Sequence, residues 1–152
     1  MPLADVVAEI CREAGVRAFD TDGLSGLVRG YALSGSESGR SALQPLMLAH
    51  GFDAVERDGV LRFLMRDARI DAELGPDDMA LAEEVGAVEV TRAADAELPG
   101  RVRLTHVEAG GDYAARTAET VLPGGAFRAV SDSELAMALT RAEGQAMAER
   151  WL

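Results

Sequence analysis

Lysine and asparagine are both missing from this chain of 152 residues, so all 15 of its basic residues are arginine. The bias reads first as the base composition of the source genome, although arginine's planar fork also suits bidentate contacts at interfaces. A single cysteine excludes an internal disulfide. Aromatic residues make up only 5%, which excludes large stacking platforms and leaves a core built from small aliphatic layers of Ala, Leu and Val. No apolar run approaches the roughly 20 residues needed to cross a bilayer, so membrane insertion is not expected. Positive charge is scarce as well. The 26 acidic residues leave a formal charge of −11, which argues against direct binding of nucleic acid, because that affinity needs cations that displace counterions. At Met1-Pro2-Leu3 the basic-then-apolar order of a leader is not seen, and both ends read as cuts through a longer protein.

The length suffices for one ordinary core, burying roughly 70% of the unfolded surface. Leu3, Val6, Val7, Ile10, Cys11 and Ala14 lie at helical spacing and predict an apolar stripe that Gly15 ends. Cys11 on that stripe reads as a small buried hydrophobe and not as a nucleophile. A short turn at Asp22–Leu27 and a strand at Val28–Leu33 follow, then a flexible loop at Ser34–Gly39. Ser41 and Gln44 stand at capping-box spacing, Leu43, Leu46, Met47 and His50 share a helical face, and Gly51 supplies the residue that ends the helix. Pro45 fits this helix poorly, since it removes a backbone bond and suggests a shifted start. Asp58-Gly59 marks a two-residue turn, pairing Glu56 with Leu61, Ala54 with Phe63 and Phe52 with Met65. One face of that hairpin is apolar, and the other carries Asp53, Arg57 and Arg62 beside Val55, Val60 and Leu64.

Residues 67–85 are acidic and irregular, with a turn or helix entry at Gly75–Asp78, and read as a connector. Strand patterns return at Ala87–Thr91, Arg101–Val107 and Tyr113–Val121, with further candidates at Phe127–Val130 and Leu135–Leu139 broken by Ser131–Ser133. At least three antiparallel neighbours are predicted. Thr140 and Glu143 form a capping box for a last helix carrying Met147 and Trp151, in which Gly144 costs roughly 1 kcal/mol relative to alanine. The fold class is therefore α+β, mainly antiparallel strands with three flanking helices. Three segments are expected to pack as one unit: 1–66 as helix, strand, helix and hairpin, 67–85 as connector, and 86–152 as strands plus helix.

The search for chemistry is negative. Gly35–Ser41 falls one residue short of a phosphate-binding loop and has arginine in place of lysine. Asp20-Thr21-Asp22-Gly23 lacks the distal glutamate of a calcium loop and reads as a solvated Asx-turn. The acidic run through Asp67, Asp71, Glu73, Asp77, Asp78, Glu83 and Glu84 offers paired carboxylates without a pocket to split their pKa values. His50 falls at a helix C-terminus and His106 is placed on the polar side of its strand with Arg101 and Arg103; neither has a partner at metal-ligand or dyad spacing.

The order of several stretches carries a resemblance. Leu3–Cys11, Gly26–Tyr31, Leu43–Met47 with Gly51–Gly59, Glu97–Leu104 and Ala146–Leu152, taken in sequence, resemble the tail proteins of alphaproteobacterial gene transfer agents and related siphophage-like particles. That resemblance covers nearly the whole chain. It implies a fragment of a tail-tip or baseplate hub: barrel-like domains with helices, assembled as a homotrimer that joins the tail tube to the host-recognition tip. It further implies contacts with other tail proteins, synthesis in the bacterial cytoplasm, location in the particle, and no enzyme activity, cofactor or metal. Larger members carry a glycosidase-like barrel, which no residues here match. Arg29, Arg57, Arg62, Arg101 and Arg103 are the interface candidates. A module binding or hydrolysing cell-envelope glycan or peptide is the competing reading, and an assembly chaperone using the first helix's stripe is another.

Overall fold

The computed structural model describes residues 1–33, 35, 37–66, 72–78, 91, 99–124 and 129–152. Helix α1 spans Leu3–Glu13 and buries Leu3, Val6, Val7, Ile10 and Cys11, as their spacing predicts, while Ala14 is exposed beyond its end. Gly15 at φ +76° turns the chain out of the helix. A two-residue strand, β1 (Phe19–Asp20), follows, too short for any periodicity to announce it. The Arg12 guanidinium lies 6.0 Å from the centre of the Phe19 ring, and the Asp22 N–H donates to Asp20 Oδ1 at 3.0 Å in the expected Asx-turn.

Val28–Leu33 does not form the predicted strand. Its first residue is taken by the N-terminus, with the Met1 amino group donating to the Val28 carbonyl and the Val28 N–H to that of Met1, both at 2.9 Å. Only an isolated bridge between Tyr31 and Met137, flanked by bonds from Ala32 N–H to the Ala136 carbonyl (2.9 Å) and from Ala138 N–H to that of Gly30 (2.8 Å), ties the segment to the second sheet.

Helix α2 spans Gly39–His50, and its cap is Ser38, not Ser41. The Ser38 Oγ accepts from the Ser41 N–H at 3.2 Å, which places Ser41 inside the first turn. Pro45 sits within the helix and forfeits one backbone bond, yet the turn is held by the burial of Ala42, Leu43, Leu46 and Ala49. Gly51 closes the helix at φ 70°, its N–H donating to the Met47 carbonyl at 2.9 Å. Strands β2 (Phe52–Arg57) and β3 (Val60–Met65) then pair in the predicted register across Asp58 (φ 56°) and Gly59 (φ 76°), the signs of a type I′ turn. Phe52 and Phe63 are fully buried and meet edge to face at 6.0 Å. The first sheet runs β1-β3-β2, with β1 parallel to β3.

The second sheet contains β4 (Pro99–Glu108), β5 (Ala115–Val121) and β6 (Ala129–Leu139) in the order β5-β4-β6. The β4–β5 pairing is antiparallel as expected, from Arg101 opposite Val121 to Val107 opposite Ala115. Strand β6 instead runs parallel to β4 along its other edge, so the three strands are not all antiparallel neighbours. The chain reaches that edge past the start of β4, where Leu122 N–H donates to the Gly100 carbonyl at 2.9 Å. Ser131–Ser133 do not interrupt β6: Ser131 and Ser133 take registers opposite Val102 and Leu104 and are half-buried, while Asp132 faces outward opposite Arg103. Both sheets are open among the described residues. The strand expected at Ala87–Thr91 lies almost wholly outside them, as do Phe127, Arg128 and most of the 67–85 connector. Within that connector, Pro76–Asp78 make a single 3₁₀ turn.

Helix α3 (Arg141–Trp151) opens with the predicted capping box and packs on β4 and β5. Its Met147 and Ala148 join Val102, Leu104, Met137 and Leu139 in one buried cluster that also takes in α1, α2, Phe52 and Phe63.

Candidate functional site

The two sheets each turn one face away from this cluster. On the hairpin, Val55 and Leu64 are about half exposed beside Arg57 and Arg62. Across the second sheet the pleat aligns Arg101 with Val121 and Val130, Arg103 with Glu119 and Asp132, and Thr105 with Thr117 and Glu134. Glu119 serves both arginines, at 3.2 Å from Arg101 and 2.7 Å from Arg103. Its carboxyl is held below the usual range, first by the hydrogen bond from Arg103.

The five arginines nominated from sequence therefore do not converge. Arg101 and Arg103 share the second sheet's outer face, and Arg57 and Arg62 share the hairpin's. Arg57 approaches only its neighbour Asp58, at 3.8 Å, and Arg62 makes no ion pair among the described residues. Arg29 lies elsewhere, its Nε donating to Glu143 Oε2 at 3.1 Å and Oε1 at 3.3 Å. That bond, with the Thr140 backbone and hydroxyl, draws the Glu143 pKa from 4.5 to about 2 against the opposing effect of partial burial.

His106 reverses its sequence assignment. Counting by twos from Val102 and Leu104 puts it on the core face, opposite in parity to Arg101 and Arg103, and it is 3% exposed. Neither ring nitrogen has a hydrogen-bond partner among the described residues. Gly144 of α3 lies directly over the ring: a Cβ there would stand 2.5 Å from His106 Cε1. The glycine that weakens the helix is thus the residue that lets α3 close on the sheet.

His50 caps a cleft of about 440 Å³ lined also by Gly26, Arg29, Met137, Glu143 and Arg150. Sequence reasoning placed this histidine at a helix end but missed Arg150, which lies far along the chain and donates through Nη1 to the Ala49 carbonyl at 3.4 Å. The nearest available signal was basic charge in the last turn of α3. Burial pushes the His50 pKa down, Glu143 draws it up, and Arg150 lowers it again.

Cys11 is buried and its thiol pKa is raised by that burial. It borders an apolar groove with Leu43, Met47 and Leu61 and with neither histidine. The glycine-serine stretch before α2 ends in the helix cap at Ser38. Among the described residues, no three of His, Cys, Asp and Glu gather closely enough to hold a metal, and no helix is long and apolar enough to cross a membrane.

Residues 38–152 match the family described as "Putative phage tail protein". A solved structure, described as the virion of a native gene transfer agent particle, contains a chain 53% identical to this one that superposes with a TM-score of 0.90. The match covers 99% of the present chain and 34% of that chain, so this sequence spans about a third of its relative's length. No curated protein matches.

Proposed function

This chain belongs to that phage tail protein family, and from this premise we propose that it is a structural part of the tail-tip or baseplate hub of a phage-like particle, linking tail tube to host-recognition apparatus. The observation that carries the proposal is the superposition of nearly the entire chain on part of a much longer chain in a gene transfer agent virion. On this reading the domain is one portion of a longer protein, works without catalysis, and assembles in threes with other tail proteins as neighbours.

The geometry suits such a role. Two separate sheet faces look outward, and each carries arginine beside exposed valine or leucine, the mixture of apolar anchor and charged rim found at protein contacts. Exposed pairs such as Arg103–Glu119 contribute only about 0–1 kcal/mol to the isolated fold. Their value lies in orienting charge toward a neighbour. Charge reversal of Arg101 and Arg103 together, or of Arg57 and Arg62 together, in the protein as produced with its particle tests this. Particles lacking tips, with the variant folded but left unassembled, are expected; normal particles from both double variants would remove these faces from the interface.

A further inference from the structure

We infer that the cleft between α2 and α3 is a carboxylate pocket, in which His50 and Arg150 receive an acidic side chain from a neighbouring protein chain. The inference rests on the reading of the domain as an assembly component and names the kind of contact it makes.

The chain as a whole is strongly acidic, yet the cleft gathers cations. Arg29, His50, Glu143 and Arg150 are its ionisable lining residues. Glu143 is already committed, to Arg29 at 3.1 Å and to the Thr140 N–H and hydroxyl at 2.8 and 2.9 Å. Among the described residues Arg150 has only a 3.4 Å bond to a backbone carbonyl. His50 Nε2 is buried without a hydrogen-bond partner among the described residues, a cost that a bound acceptor removes.

The backbone also makes room for the ring. Gly26 holds φ +128°, and a Cβ at that position would lie 3.2 Å from His50 Nδ1. On the other side His50 and Arg150 border a second, smaller hollow with Arg66 and Trp151, in which Arg66 is bound by Asp53 through two 2.6 Å contacts. A carboxylate entering here meets two donors to which no described carboxylate is hydrogen-bonded, while Arg29 and Arg66 on either side are already paired with Glu143 and Asp53.

Binding is coupled to protonation. The groups facing His50 are Glu143 and Arg150 on α3, Arg29 on the segment after Gly26, and Arg66 past the end of β3. In the free chain burial favours neutral imidazole; a carboxylate favours the imidazolium, so affinity falls as pH rises through the histidine's titration range.

The test is a titration of the isotope-labelled chain, followed by backbone and side-chain NMR, with an N-acetylated, C-amidated tri-glutamate peptide and its tri-glutamine counterpart, near pH 6 and near pH 8. Saturable shifts at Gly26, His50 and Arg150 with the glutamate peptide only, tighter near pH 6, are expected. Arg150→Gln, an exposed position that leaves the core untouched, is expected to weaken binding by roughly tenfold, and His50→Gln to remove its pH dependence. Shifts spread over Arg57, Arg62, Arg101 and Arg103, or binding indifferent to Arg150→Gln, would overturn the pocket. Neither result bears on whether the chain enters particles, which the charge-reversal experiment decides separately.

Discussion

Of the described glycines, Gly144 leaves the least room for a side chain, because of His106, and each of the two residues was half legible in the sequence. The glycine stands out as a weak spot in a well-capped helix, but its reason is a contact with a strand some forty positions away, which helix periodicity does not contain. The histidine's burial follows from counting by twos along its strand; its polar character pulled the reading to the wrong face. On an open helix face Gly→Ala stabilises by about 1 kcal/mol. Here Gly144→Ala is expected to destabilise by about 1–3 kcal/mol in urea unfolding, because the new methyl meets the imidazole. A gain in stability would show that the ring moves aside freely. The Arg29–Glu143 pair gives a second residue-level prediction. The folded pKa of Glu143 is depressed, so its contribution is present above the unfolded value of about 4.5 and is lost as pH falls toward about 2. Wild type and Glu143→Gln should therefore differ in stability at neutral pH and converge through that window, as followed by thermal melting against pH. A difference unchanged at the acid end would show that the carboxylate's charge contributes nothing through Arg29 or the Thr140 cap.

At the scale of elements, local signals succeeded where the structure is local. The hairpin's register, its turn and its two faces were all readable, because Asp58-Gly59 fixes the pairing and alternation does the rest. Gly59→Ala, forced into a left-handed conformation, is expected to lower stability by about 1–2 kcal/mol without moving the register. The start of α2 was misread by three residues. Ser38 and Ser41 are both capable caps, and the choice is made by where the loop delivers the chain to the core. Ser38→Ala is expected to cost about 1 kcal/mol in chemical denaturation and Ser41→Ala clearly less. The reverse order would restore Ser41 as the cap. The strand of two residues at Phe19 and the irregular edge at Val28–Leu33 escaped because their hydrogen bonds depend on distant partners, β3 in one case and the N-terminus in the other.

For the whole molecule, the α+β class and three helices were legible, whereas the parallel placement of β6 beside β4 was not. Strand patterns state which face is apolar; they do not state on which edge a returning strand docks. The interface candidates show the same limit. Sequence proposed five arginines, but their division among three surfaces follows from which sheet each strand joins, and the pairing of Arg29 with Glu143 and the company of Arg150 with His50 arise only once α3 is in place. On the function proposed above, these outward faces serve assembly. We propose that such faces build a threefold hub. The decisive measurement is the solution mass of this chain, and of the longer protein to which we assign it, by light scattering across concentration and salt. A trimer of the longer protein that dissociates as arginine-bearing contacts are screened or reversed is the predicted result. A strictly monomeric protein, even when mixed with its tail-tube partners, would rule out a threefold hub.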